Sequence, residues 1–268
     1  MEIINLNEID LSSLQKLKNQ GTQSTIYTDG TICYKFLNGL YPDEKIAVER
    51  KFRDMEGIKI NGVLLPQSLI FNNGKLEGYT NKYLANSIPL SDKFEKNFFN
   101  CNELLTYVKK ASKILRNIHK NNIGYQDLSF ENILVDENGN ITFCDIDNCT
   151  YKNYHSAFYS KLFKEFLIDY RNCNIPSVKD VDKISLILSF YLTMYGQVLQ
   201  KITKKQDYFL TSNINTLKNL KKIKDILIDK KCPLQNIPYI DEFIDLKDNY
   251  EINRKKFLSL KQRIFKNY

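Results

Sequence analysis

Apolar and polar positions alternate so as to divide the chain into hairpins and helices. A polar-apolar stretch over 8 to 18 leads into β-rich runs on either side of Asp29-Gly30, which predict a hairpin with Lys35 near the end of its second strand. Pro42-Asp43-Glu44 opens a helix running to about Glu56, before Gly57, and its early acids complement the positive end of the helix dipole. Runs over 63 to 71 and 75 to 84, parted at Asn72-Asn73-Gly74, predict a second hairpin. Leu104, Leu105, Val108, Ala111, Leu115 and Ile118 recur at three-to-four spacing, the mark of one long amphipathic helix ending near Asn121-Asn122. A third hairpin pairs 133 to 135 with a strand ending in Asp145. Asn138-Gly139 between them predicts a type I′ turn, whose two central positions both need positive φ. A further helix spans 182 to 196, and 197 to 268 reads as basic amphipathic segments broken near Cys232-Pro233 and Ile237-Pro238. The fold class is α+β.

Chemistry concentrates on the third hairpin. Asp127 and Asn132 stand in the loop before it and Asp145 at its far end, so three oxygen-bearing side chains converge, as suits magnesium carrying phosphates. The stretch Tyr125-Gln126-Asp127-Leu128-Ser129-Phe130-Glu131-Asn132, with Asp145-Ile146-Asp147, resembles the H-R-D-L-x-x-x-N and D-F-G segments of the protein kinases. The steps of five residues from Asp127 to Asn132 and thirteen from Asn132 to Asp145 match that family.

The resemblance implies a bilobal protein kinase-like fold, with a small antiparallel-sheet N-lobe over 1–84 and a larger helical C-lobe over 85–268, together one domain. It implies ATP and magnesium as cofactors. Asp127 would orient the acceptor hydroxyl, Asn132 and Asp145 would hold magnesium, and Lys35 would grip the phosphates beneath a degenerate flap containing Gly21, Ser24 and Ile26. Glu49 of the first helix would pair with Lys35, Glu56 being the second choice. The second hairpin would complete a five-stranded small lobe, and Lys82, Tyr83 and Leu84 would form the linker that meets the adenine edge. Asp182 would brace the loop from a buried helix, or alternatively cap that helix, and His119 reads as structural. The A-P-E motif is missing, Gln126 replaces the usual arginine and Asp147 the usual glycine. The last two point to an enzyme competent without phosphorylation of its own chain.

Composition constrains the rest. At 268 residues, 43% hydrophobic and 26% charged, the chain is globular, and it begins with neither a signal-like segment nor a membrane span, so a cytoplasmic protein is expected. Six cysteines lack a C-x-x-C, and with only two histidines a zinc site has too few well-spaced ligands, so reduced, structural cysteines are expected. The formal net charge of +8 gathers late in the chain, where it reads as a solvated helix face or as a patch for an acidic partner. Nucleic acid is disfavoured because no recognition motif accompanies that charge. The expected function is an ATP-dependent phosphotransferase of Ser/Thr protein kinase type, acting on an unidentified protein or small-molecule hydroxyl. The alternatives are a small-molecule kinase of the same fold and a nucleotide-binding pseudokinase scaffold.

Overall fold

Turn chemistry decides how the first strands pair. In the computed structural model, which describes residues 1–17, 24–95, 101–154, 177–203 and Tyr239, the strands β1 (Glu2–Asn5), β2 (Gln15–Lys16), β3 (Thr25–Thr28), β4 (Ile32–Phe36), β5 (Ser68–Asn72) and β6 (Lys75–Lys82) form one sheet. Their spatial order is β1-β5-β6-β4-β3-β2. Between β3 and β4, Gly30 takes φ 92° while the Asp29 carboxylate accepts the Thr31 and Ile32 N–H groups at 2.7 Å each. Between β5 and β6, Asn73 and Gly74 both have positive φ, 49° and 74°, which is the two-residue type I′ turn. Six strands rather than five are present, since β1 adds parallel to β5 at the sheet edge. Its Met1 ammonium is tied to Glu56. The flap residue Gly21 lies outside the described residues.

The helix α1 (Pro42–Asp54) begins as expected, with Glu44 accepting the Tyr41 N–H at 2.7 Å, and stops before Glu56. Its buried residues are Val48, Lys51 and Phe52. A lysine on that stripe is unexpected.

The rest comprises β7 (Ile88–Pro89), α2 (Leu90–Glu95), α3 (Cys101–Lys120), β8 (Ile123–Gly124), β9 (Ile133–Val135), β10 (Ile141–Phe143), β11 (Thr150–Tyr151) and α4 (Val178–Thr203). A sheet ordered β10-β9-β7 and a β11-β8 pair complete the mixed α+β architecture. The β9–β10 turn departs from type I′, because Gly139 has φ 72° while Asn138 stays out of the left-handed region. The Asp136 carboxylate causes this by accepting the Asn140 N–H at 2.7 Å, which draws residues 136 to 140 into a wider loop with Gly139 at its left-handed position. Segment 62–64 then clips to β10, with Phe143 N–H on Gly62 O and Leu64 N–H on Phe143 O, both at 2.8 Å.

One apolar cluster runs from Phe52 and Tyr79 at the six-stranded sheet through Leu115 of α3 to Tyr125 and Phe143. Each such fully buried side chain contributes about 1.5–3 kcal/mol. Leu104, Val108, Ala111, Leu115 and Ile118 of α3 face it, as their spacing predicts. Among the described residues no helix is long and apolar enough to cross a membrane.

Gly78 in β6 makes the sheet testable at one atom, because a Cβ there would lie 2.2 Å from the Lys35 carbonyl oxygen. Gly78→Ala should destabilise the protein by about 1–3 kcal/mol in urea unfolding. An unchanged midpoint would show that β4 and β6 approach less closely.

Candidate functional site

The loop between β8 and β9 carries the first two expected residues, and a carboxylate from α4 holds it. Asp182, with no exposed surface, accepts the N–H groups of Tyr125 at 2.7 Å and Gln126 at 2.6 Å. His119 Nε2 lies 2.9 Å from the same carboxylate and its Nδ1 2.7 Å from the Tyr239 hydroxyl. The imidazole thus bridges the Asp182 carboxylate and the Tyr239 hydroxyl. The helix N-cap role falls instead to Ser177, whose Oγ accepts the Asp180 N–H at 3.3 Å. With Asp182 in place the chain turns sharply. Gln126 takes φ 71° and Asp127 N–H reaches back to Tyr125 O at 2.9 Å.

Tyr125 passes this order on to the hairpin. Its hydroxyl donates to Cys144 O and, at 3.3 Å, to Asn132 O, while its ring meets Phe143 edge-on at 5.4 Å. Asn132 Nδ2 donates to Asp127 O at 2.8 Å, so its amide oxygen is turned the other way. Burial, followed by the negative charge of Asp147, raises the Asp127 carboxyl above the usual range, against the Lys35 charge and hydrogen bonds from Asn148 and Asn132.

Lys35 arrives from β4 and ends on two carboxylates. Its Nζ donates to Asp145 Oδ1 and, at 3.0 Å, to Asp147 Oδ1, which also accepts from the Tyr79 hydroxyl at 3.3 Å. Burial alone would lower the lysine pKa, but the Asp147 carboxylate, with Asp145 beside it, outweighs it and keeps the ammonium protonated. Burial and then the Asp147 charge push Asp145 up by more than Lys35 lowers it. For Asp147 burial is overcome by Lys35, a hydrogen bond from Asp145 and the charge of Lys51, and its carboxyl is held low. Lys51 Nζ donates to the carbonyl oxygens of Asp147 and, at 2.8 Å, Cys149.

Glu49 is not the partner of Lys35. It faces Arg53 on its own helix at 2.9 Å, and Glu56 meets the N-terminal ammonium. The reason is geometric: the stripe of α1 turned inward holds Val48, Lys51 and Phe52, leaving position 49 on the flank. Sequence reasoning passed over Lys51, Tyr79 and Tyr125. For Lys51 the available signal was its place between Val48 and Phe52 on an apolar stripe, and for Tyr79 its pairing opposite Lys35 in the sheet.

Ser24 is buried just ahead of β3, and Ile26 pairs with Lys35 in register. Lys82, Tyr83 and Leu84 line a cleft of about 250 Å³ whose opposite wall includes Leu134, Asp136 and Thr142 of the β9–β10 hairpin. Tyr83 gives its N–H to Thr31 O at 2.8 Å, so that group is committed to the sheet. Burial pushes the thiols of Cys33 and Cys149 up to about 11 and that of Cys144 up to about 12, so none of the three is a thiolate nucleophile near neutral pH. Among the described residues no three His, Cys, Asp or Glu side chains cluster as a metal site, so any cation here needs oxygens from Asn132, water or a ligand. No protein-family model matches the chain, and no curated protein does either.

Asp182→Ala leaves two buried N–H groups and His119 without their acceptor. It should cost about 3–5 kcal/mol in chemical unfolding. A loss below about 1 kcal/mol would show that the loop holds its turn without this acid.

Proposed function

We propose that the protein is an ATP-dependent phosphotransferase of protein kinase-like, bilobal type, transferring the γ-phosphate to a hydroxyl. In this reading residues 1–84 form the small lobe and 85–268 the large one. The observation that carries it is the contact of Lys35 with Asp145, two residues 110 positions apart that separate motifs assign to the same phosphates. The acceptor oxygen would attack the γ-phosphorus as the bond to the bridging β–γ oxygen breaks. ADP would leave with that oxygen and the acceptor proton would pass to the Asp127 carboxylate. Asn132, whose amide nitrogen is engaged and whose oxygen is turned away from Asp127, and Asp145 form a hard-oxygen donor pair suited to magnesium. When bound there, magnesium would neutralise phosphate charge. Lys35 would add a fixed positive charge, and the cleft beside Lys82, Tyr83 and Leu84 would take the base. The remaining rate enhancement would come from positioning and preorganised charge.

A Ser or Thr side chain is the acceptor the resemblance favours, with a small-molecule hydroxyl second because A-P-E is missing. The free thiols Cys33, Cys144 and Cys149 fit a cytoplasmic enzyme. Occupation of Lys35 by two carboxylates favours a second reading, a nucleotide-binding scaffold without turnover. Incubation with labelled ATP and magnesium, with protein and small-molecule acceptors offered in parallel, separates the two: labelled product supports the enzyme, and nucleotide binding without product supports the scaffold.

Two substitutions probe the assignments. Asp127→Asn should leave nucleotide affinity within about twofold and cut transfer by about 10²–10⁴; equal loss of both would make Asp127 structural. Asp145→Asn should abolish the magnesium dependence of nucleotide affinity. Thermal stabilisation by ATP that ignores magnesium in the unaltered protein would overturn the metal assignment.

A further inference from the structure

A buried ammonium needs a counter-charge fixed in place, and Lys35 takes it from an unexpected part of the chain. Lys35 is 8% exposed, Asp147 9% and Lys51 4%. The α1 face turned toward Lys35 presents a lysine where an acid was expected, and the acids of that helix point elsewhere: Glu49 to Arg53, Glu44 to the Tyr41 N–H and Asp54 to Lys152, while Asp43 is exposed. Asp147 supplies what α1 does not. Its Oδ1 receives Lys35 Nζ at 3.0 Å and the Tyr79 hydroxyl at 3.3 Å, and its backbone carbonyl is gripped by Lys51. Lys51 also takes Cys149 O at 2.8 Å, so one ammonium clamps the chain on both sides of Asn148. Phe52, next to Lys51, packs edge-on against Tyr79 at 5.0 Å and closes the cluster from the helix side.

We propose that Asp147, two residues beyond the metal-bearing Asp145, is the residue that positions Lys35 for the nucleotide phosphates, and that Lys51 of α1 positions Asp147. The inference rests on the phosphotransferase reading and concerns regulation of the same site. A cation on Asp145 would compete with Lys35 for the charge of that carboxylate, whereas Asp147 holds the lysine independently through its own Oδ1. That acid belongs to the segment carrying Asp145 itself. Alignment of Lys35 therefore does not depend on a helix rotating an acid inward. The Lys51 clamp joins α1, the lysine strand and the metal segment into one body.

The test is isothermal titration of the full chain with magnesium-ATP and, separately, adenosine, which lacks the phosphates Lys35 would hold. Asp147→Asn keeps the shape and one acceptor oxygen but loses the charge, and should weaken ATP at least about tenfold while adenosine stays within about twofold. Lys51→Met should weaken ATP severalfold in the same way. In the double variant the two losses should not multiply, since both act through one contact. Should Asp147→Asn fail to fold, Tyr79→Phe, which removes one donor to Asp147, should weaken ATP about two- to fivefold with adenosine unchanged. Unchanged ATP affinity in Asp147→Asn, parallel loss of adenosine, multiplying losses, or a loss from Glu49→Gln in place of Asp147→Asn would each overturn the inference and leave the phosphotransferase reading standing. An unaltered protein that binds neither ligand would overturn both.

Discussion

One carboxylate without solvent contact governs the loop on which the site depends. Gln126 sits at φ 71°, a conformation that costs a residue with a side chain about 1–3 kcal/mol. Asp182 accepts the N–H groups of Tyr125 and of Gln126 itself, which lead into that turn, and hydrogen bonds to a charged group contribute about 1.5–3 kcal/mol each. Together the two bonds outweigh the strain. His119 fixes the carboxylate from α3, so two helices that meet in the core also set the backbone before Asp127. Tyr125, held by the same acid, carries that order across to the third hairpin through Asn132 O and Cys144 O.

The second constraint is charge. Two lysines and two acids are gathered against the six-stranded sheet, where each lysine meets a group of the segment after β10. A buried pair gains little net stability over an apolar replacement, yet loss of one member leaves an uncompensated charge at about 3–5 kcal/mol. Such a cluster specifies arrangement more than it adds stability. Its members come from α1, β4 and the segment after β10, which fixes how these three meet. The aromatic rings of Phe52 and Tyr79 lie against the two ammonium groups and keep water from them.

Much of this was legible in the sequence where the cause is local. Periodicity placed α1 and α3, Asp29-Gly30 and Asn73-Gly74 marked their turns, and the spacing from Asp127 to Asp145 marked the residues that the third hairpin collects. Asn138-Gly139 failed because a neighbouring acid, Asp136, offered the loop better hydrogen bonds than two residues in the left-handed region. Glu49 failed for a different reason. Helical spacing puts 48, 51 and 52 on one stripe, but a lysine is ordinarily placed in solvent, so Glu49, flanked by Val48 and Phe52, looked like the inward polar residue. Only Asp147, ninety-six positions later, makes a buried Lys51 reasonable. Nothing local to the helix reveals that.

The distribution of strain joins the two constraints. Positive φ at Asn73, Asn86 and Asn122 falls on a residue type that tolerates it, and at Lys152 on a turn. Gln126 and Asp145 are different. Both stand at the site, and each is held by bonds to its neighbours rather than by its own side-chain chemistry. For Gln126 the holder is Asp182. For Asp145, at φ 64°, the carbonyl before it is taken by Tyr125 and the carbonyl of Asp147 after it by Lys51. A residue clamped on both sides has already lost its backbone freedom on folding, so a ligand meeting its carboxylate has little ordering left to cause. Unfavourable backbone conformations that persist only where surrounding contacts over-determine them are a sign of preorganisation. In this chain they coincide with the two places, beside Asp127 and at Asp145, where the proposed phosphotransferase would need an acid presented in a fixed direction.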